Sequence, residues 1–417
     1  MKKQLLLALS ALCVFLLLGQ KICAADIYVV NSESRTLSHI NTSTGVVNNV
    51  FTQLGLIPNR MFMDEEYIFV VLSGDNAIQM INRTTGQHLR YIPVAISSNP
   101  WDCWREGEFL YVTGLFSNRL YKISLNSYTV VDYITVGVAP EAVMASGGKL
   151  YVSNTGGYQS DYANSSISVV DLATFTVVKT IPVWNNPQYI KQIGGYIHVS
   201  CTGNWVSIQG KVEVIDPVID EVIQSIDLGG NPFGLFGLPN GRVYVGDGMN
   251  SGIYSYDANT FEIYNGGGNP LSPGGIDVAG NSDFIAILDS SWGTNGKVKL
   301  RNHDFSEIGE YTVALAPTDF KVYTQNTEND DQVAMPAKMR VFPNPVSSGQ
   351  MLSFQSEKGM NSEIRIYNLK GQLVSQVKSI GNSTQWKAVD KNGKALPKGI
   401  YLYKDVTGHA NGKFVIK

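Results

Sequence analysis

Residues 150–171 read LYVSNTGGYQSDYANSSISVVD. Leu150–Ser153 and Ile167–Asp171 are β-branched and aromatic runs of strand length. The gap between them is too long for a tight hairpin, and it carries Gly156, Gly157, Tyr158, Gln159, Asp161, Tyr162 and Asn164. The first run is one copy of a repeat. The copies are IYVVNS at Ile27, IFVVLS at Ile68, LYVTGL at Leu110, LYVSNT at Leu150, IHVSCT at Ile197, VYVGDG at Val243 and FIAILD at Phe284.

Successive copies begin 41, 42, 40, 47, 46 and 41 residues apart. A second run follows each, as in ISVVD (167–171) and VEVID (212–216). An Asn or Asp often ends it, whose side chain can bond the backbone two residues on and shape a turn. A third run comes next (VVKTIPV, 177–183), and then Asn-Pro or Ala-Pro introduces a fourth. Four short strands every 40–47 residues, without helical periodicity, are the pattern of a propeller blade. The first copy is the second strand of its blade, so the run near Pro317–Tyr323 is expected to supply the missing inner strand. That pairing closes the ring and covers the edges an open array would expose. The expected fold is all-β: a seven-bladed β-propeller followed by a small β-sandwich domain.

LYVSN, ISVVD, VVKTIPV and the Asn-Pro or Ala-Pro before the inner strand resemble the YVTN family of seven-bladed propellers over roughly residues 25–325. The resemblance implies a binding scaffold. That family includes surface proteins of Bacteroidota that capture corrinoids such as cobalamin, although none of their ligand contacts is matched here position by position.

The ends divide the chain. Lys2 and Lys3 precede an apolar run from Leu5 to Leu18, with small residues at Ala24 and Ala25, the pattern of a cleaved export signal. The expected segments are a signal at 1–25, the propeller at 26–324, an acidic linker at 325–337 and a separate domain at 338–417. Residues 26–324 hold 16 basic and 28 acidic side chains, whereas 338–417 hold 13 and 4. So anionic a body repels nucleic acid. With Cys13 and Cys23 in the signal, only Cys103 and Cys201 remain, both in apolar runs that favour buried free thiols.

In the last segment MRVFPNPVSSGQMLSF (339–354), EIRIYNLKGQLV (363–374) and LPKGIYLYKDVTGHANGKFVIK (396–417) alternate apolar residues around glycine-containing turns. PNP at 343–345, GIYLYK at 399–404 and the basic last strand resemble the C-terminal sorting domain of the type IX secretion system. That resemblance implies a Bacteroidota-type host, the type IX secretion machinery as partner, and a secreted or cell-surface location.

In a four-stranded meander the second-to-third loops and the links between blades share one end of the ring. The loops there are long in three blades: 155–166, 202–210 and 290–296. They carry Tyr158, Tyr162, Trp205 and Trp292 with little apolar company. The links add Trp101, Trp184, Tyr189 and Phe233, with Arg60, Asp102, Glu141, Gln188 and Asp319 expected near the channel mouth. Trp101 and Trp104 both follow Pro100, so one of them is expected to pack between blades. Tyr189 and Phe233 either line the face or pack likewise.

Aromatic platforms with sparse carboxylates and amides suit a flat, partly apolar small molecule or a sugar ring. A protein-interaction scaffold on the same face is the alternative. No catalytic residue, metal or cofactor is expected. The five histidines are scattered, none at metal-ligand spacing, and no nucleophile elbow or phosphate-cradling loop occurs. A propeller lyase or lactonase built on Asp102, Glu141 and Asp319 is the least favoured alternative.

Overall fold

The computed structural model describes residues 24–324, 340–355, 362–368, 372–379, 383–405 and 411–417. Residues 1–23 of the expected signal and the linker at 325–337 lie outside the described residues, whereas Ala25, the last residue of that expected signal, opens the first strand. The chain forms two compact units, Met1–Gln325 and Asn326–Lys417.

Among the described residues of the first unit, all regular structure apart from one short 3₁₀ turn at Tyr158–Ser160 is strand. The strands form seven four-stranded antiparallel sheets. Their inner strands are Pro317–Thr324, Pro58–Met63, Pro100–Glu106, Pro140–Ser146, Pro187–Ile193, Pro232–Gly237 and Asp277–Gly280. Each inner strand lies against those of its two neighbours, so the sheets close into a propeller-like ring. Closure uses the expected strand. Pro317–Thr324 pairs with Ala25–Asn31, placing the chain's last and first strands of this unit in one sheet.

The repeat's composition has physical causes. Proline opens six inner strands, where its missing N–H interrupts no interior ladder. Ile57, Asn99, Ala139, Asn186 and Ala316 precede five of these prolines with φ between 48° and 63°. Asparagine tolerates that left-handed region better than most residues, which accounts for the recurring Asn-Pro. The small polar residue ending the second strand staples the next sheet. Thr202 Oγ1 donates to the Pro232 carbonyl at 3.0 Å and Ser290 Oγ to that of Pro317 at 2.6 Å. The Asx turns reach two residues on at Asp216 and Asp257, whose Oδ1 atoms accept from Val218 N and Asn259 N at 2.8 Å, and three residues on elsewhere. Asn82 Oδ1 accepts from Thr85 N at 2.9 Å and Asp171 Oδ1 from Thr174 N at 2.8 Å.

The core lies between neighbouring sheets. Phe69, Val71 and Ile78 of the second sheet pack on Cys103, Leu110 and Val112 of the third. Phe284, Ala286 and Leu288 of the last sheet pack on Ile27, Val29 and Phe320 of the first. Cys103 and Cys201 are buried free thiols.

In the second unit, Arg340–Phe342, Met351–Gln355 and Ser383–Lys387 form a three-stranded sheet. Leu373–Ser379, Ser362–Asn368, Gly399–Asp405 and Asn411–Ile416 form a four-stranded one. Both contribute to one core of Leu352, Phe354, Ile366, Trp386, Tyr403 and Phe414.

Candidate functional site

The long loops and the links between sheets occupy one end of the ring. Thr155 N donates to Ala139 O at 3.0 Å, Gly203 N to Asn185 O at 3.1 Å and Gly248 N to Asn231 O at 2.8 Å. The loop of 155–165 is tied to its neighbour, because Asn204 Nδ2 donates to Asp161 Oδ1 at 3.0 Å. Asn204 Oδ1 in turn accepts from the backbone N–H groups of Val206, Ser207 and Ile208 at 2.7–3.1 Å. A short side chain therefore organises the whole turn that presents Trp205.

A chamber of about 430 Å³ opens at this end of the axis, lined by Trp101, Gln188, Tyr189, Phe233, Trp292 and Arg60 among others. Tyr189 and Phe233 meet edge to face with centroids 4.7 Å apart, and Trp205 meets Phe233 at 5.9 Å. Trp205 therefore has apolar company, contrary to expectation. It also lies over Gly248, where a Cβ would come within 2.4 Å of the indole. Tyr158 and Trp292 are 80% and 75% exposed. Tyr158 and Tyr162 pack edge to face at 6.1 Å and border a second hollow of about 640 Å³ together with Phe116, Val138 and Glu141.

Trp184 stands apart. Its indole N–H donates to Gln209 O at 2.8 Å, Lys211 Nζ lies 4.1 Å from its ring, and its body packs on the core between the fourth and fifth sheets. It lines none of the three hollows described here.

Arg60, Asp102 and Asp319 are not at the mouth but inside the ring, as the third residue of their inner strands turns its side chain toward the axis. The Arg60 guanidinium lies 3.9 Å from the Tyr189 ring centroid and donates to Gln188 O at 2.8 Å, with Asp102 Oδ2 at 3.8 Å. Burial opposes its charge, but Tyr189, Asp102, Glu141 and Asp319 outweigh that and hold the pKa above the ordinary arginine value. Asp319 is fully buried and satisfied: Oδ2 accepts from Met61 N at 2.8 Å and Oδ1 from Lys321 Nζ at 2.6 Å.

Burial pushes the Asp102 carboxyl up to about 6 despite Arg60. It pushes Glu141 up to about 7. Glu141 Oε2 and Trp101 Nε1 are both buried without a hydrogen-bond partner. The indole is near enough to favour the carboxylate, yet outside bonding geometry.

The sequence reading missed the rim. Ile57, Ile96, Phe116, Val138, Val206 and Met249 are exposed on the links and turns of this end, Ile96 at 96% and Val206 at 92%. A single apolar loop residue signals nothing; only the ring brings these together.

In the second unit the last strand is gripped by the PNP segment. Val346 N donates to Val415 O, Lys417 N to Val346 O and Val415 N to Asn344 Oδ1, each at 2.9 Å. Residues 340–417 match the family described as the secretion system C-terminal sorting domain. The tail is a type IX sorting domain. This sorting domain indicates export across the outer membrane to a secreted or cell-surface location, and it implies engagement with the type IX secretion machinery.

No curated protein sequence matches the chain significantly. Among solved structures, the chain is similar to hydrazine synthase of Kuenenia stuttgartiensis, at 14% identity with a TM-score of 0.52, covering 77% of this chain and 95% of that one. It is also similar to the dihydro-heme d1 dehydrogenase NirN, at 13% identity and a TM-score of 0.50, covering 72% and 75%. Likeness at this level establishes a propeller-like fold and nothing about chemistry.

Proposed function

We propose that residues 26–324 are a seven-bladed propeller, of the kind the YVTN repeat describes. On this reading a signal at 1–25 and a β-sandwich sorting domain at 338–417 export it from a Bacteroidota-type cell. At the cell surface or in the medium it captures a flat, partly apolar ligand at its loop-rich end. The observation that carries this reading is the chamber of about 430 Å³ walled by Trp101, Tyr189, Phe233 and Trp292 with Arg60 at its floor. Aromatic faces supply contact area, and the guanidinium supplies five donors to a polar edge of the ligand.

The chamber is at the small end of the range for small-molecule sites. A sugar ring fits within it. A corrinoid or another tetrapyrrole is larger and places one edge inside while its body rests on the apolar rim. The exposure of Ile96, Val206 and their neighbours also favours a second reading, a surface scaffold whose broad rim docks a protein.

A thermal-shift panel on residues 24–417 separates these readings. Corrinoids, haem-like rings or oligosaccharides that bind the folded ring raise its melting temperature by mass action. A panel that gives no shift at millimolar ligand leaves the protein-docking reading standing and removes the small-molecule one.

A further inference from the structure

Below Arg60 and Tyr189 the axis widens into a separate chamber of about 350 Å³. Counting the proline that opens six of the inner strands as the first, the fifth position faces this chamber, and in the remaining sheet Ala279 does. The residue so placed is apolar in five sheets, including Phe62, Trp104, Met144 and Phe236, and lysine in two, Lys191 and Lys321. The two cations differ. Lys321 is held by Asp319 at 2.6 Å. Lys191 has no hydrogen bond or ion pair among the described residues, and solvent in the chamber reaches its side chain.

The acids do not balance these cations. Asp319 serves Lys321 and Met61 N, and Asp102 faces Arg60 and accepts from Cys103 N at 2.8 Å. Among the described residues Asp277 accepts only from its neighbour Val278 N at 2.8 Å, and burial pushes its carboxyl up to about 7 despite Lys321. Asp102, Glu141 and Asp319 all act on Arg60, and Asp319 also bonds Lys321, so among the described residues no carboxylate is left in contact with Lys191. Desolvation inside the channel and Lys321 pull the Lys191 pKa below the ordinary lysine value against the opposing pull of Asp277 and Asp319, neither of which bonds it.

We infer that this lower chamber is a second binding site, for a small organic anion whose carboxylate pairs with Lys191 and whose flat apolar body packs against Trp104, Phe62 and Phe236. It is distinct from the loop-rich chamber, because the Arg60–Tyr189 stack lies between them. A volume of about 350 Å³ admits a single-ring acid and excludes a tetrapyrrole.

Calorimetric titration of residues 24–417 with benzoate, benzyl alcohol and inorganic phosphate tests this. Benzoate is expected to bind, benzyl alcohol and phosphate at least about tenfold more weakly, and Lys191→Met to weaken benzoate about tenfold or more, the worth of one charge-assisted hydrogen bond. Because Lys191 has no partner to lose, Lys191→Met is expected to keep its melting temperature; Lys191→Gln serves if it does not. Quenching or shift of Trp104 emission by benzoate, lost in Trp104→Phe, locates the ligand. No benzoate binding at millimolar concentration, equal binding of phosphate, or unchanged benzoate affinity in the Lys191 variants would overturn the inference.

Discussion

The Arg60 guanidinium stacks on the Tyr189 ring at 3.9 Å and thereby divides the axis of the ring into two chambers. Arg60 comes from the second sheet and Tyr189 from the fifth, so the contact spans the channel. The guanidinium also neutralises Asp102, whose carboxylate burial disfavours. Arg60→Met leaves buried acids uncompensated and is expected to cost about 3 kcal/mol, the scale of breaking one side of a buried pair. Urea unfolding measures it. A midpoint within error of wild type would mean that Arg60 is not what holds the two halves of the channel together.

Gly234 and Asp277 make a tighter relationship. A Cβ on Gly234 would lie 1.6 Å from Asp277 Oδ1, so the carboxylate occupies the space a side chain would need. Gly234→Ala is expected to destabilise by about 1–3 kcal/mol through overpacking. Combining it with Asp277→Ala should recover much of that loss, because the two sites share one volume. Additive losses in the double variant would contradict the contact.

Asp277 also sets a pH dependence. Its folded carboxyl titrates near 7, against an unfolded value near 3.8. Between those values the folded state holds a proton that the unfolded chain releases, so this group's contribution to stability falls as pH rises from about 4 to about 7. Asp277→Asn does not titrate. The stability of wild type relative to Asp277→Asn should therefore decline across that window and level off above it. Parallel stability curves would show that Asp277 keeps an ordinary carboxyl pKa. Taking the difference removes the opposite trend from His198, which burial pulls down to about 4.

The ring architecture was legible because it is written in periodic runs. Val152 and Val170 are fully buried, as their place in such runs requires, and Pro317–Thr324 closes the first sheet as the offset of the first copy demands. The axis was less legible. Nothing local distinguishes Arg60, third in its strand and buried, from an arginine at the mouth; its depth follows from the twist of seven strands toward one line. Trp184 and Trp205 show the same limit. Both lie beside loops on the same end, yet only Trp205 reaches the axis through Phe233, while Trp184 is held by Gln209. Lys191 and Lys321 share a register position in sheets far apart in sequence, and only closure places them in one chamber.

Closure itself can be broken. Removing residues 315–324 strips the inner strand from the first sheet, including the fully buried Phe320, and exposes the edge of Ala25–Asn31. Stability should fall by several kcal/mol, about the worth of a few buried apolar side chains, and the exposed edge should promote association. Chemical denaturation and sedimentation read both effects. An unchanged unfolding midpoint would mean that the ring closes by other contacts.

Binding at the loop-rich chamber is tested most directly by titrating residues 24–417, as wild type and as Trp292→Ala, with whichever ligand most raises the melting temperature. Trp292 lines the chamber while being 75% exposed, so its loss should leave stability unchanged. Affinity should weaken by about 1–3 kcal/mol, the scale of one aromatic contact at a binding site. Undiminished affinity in Trp292→Ala, and again when Trp101→Ala is added, would contradict a site at this end of the ring.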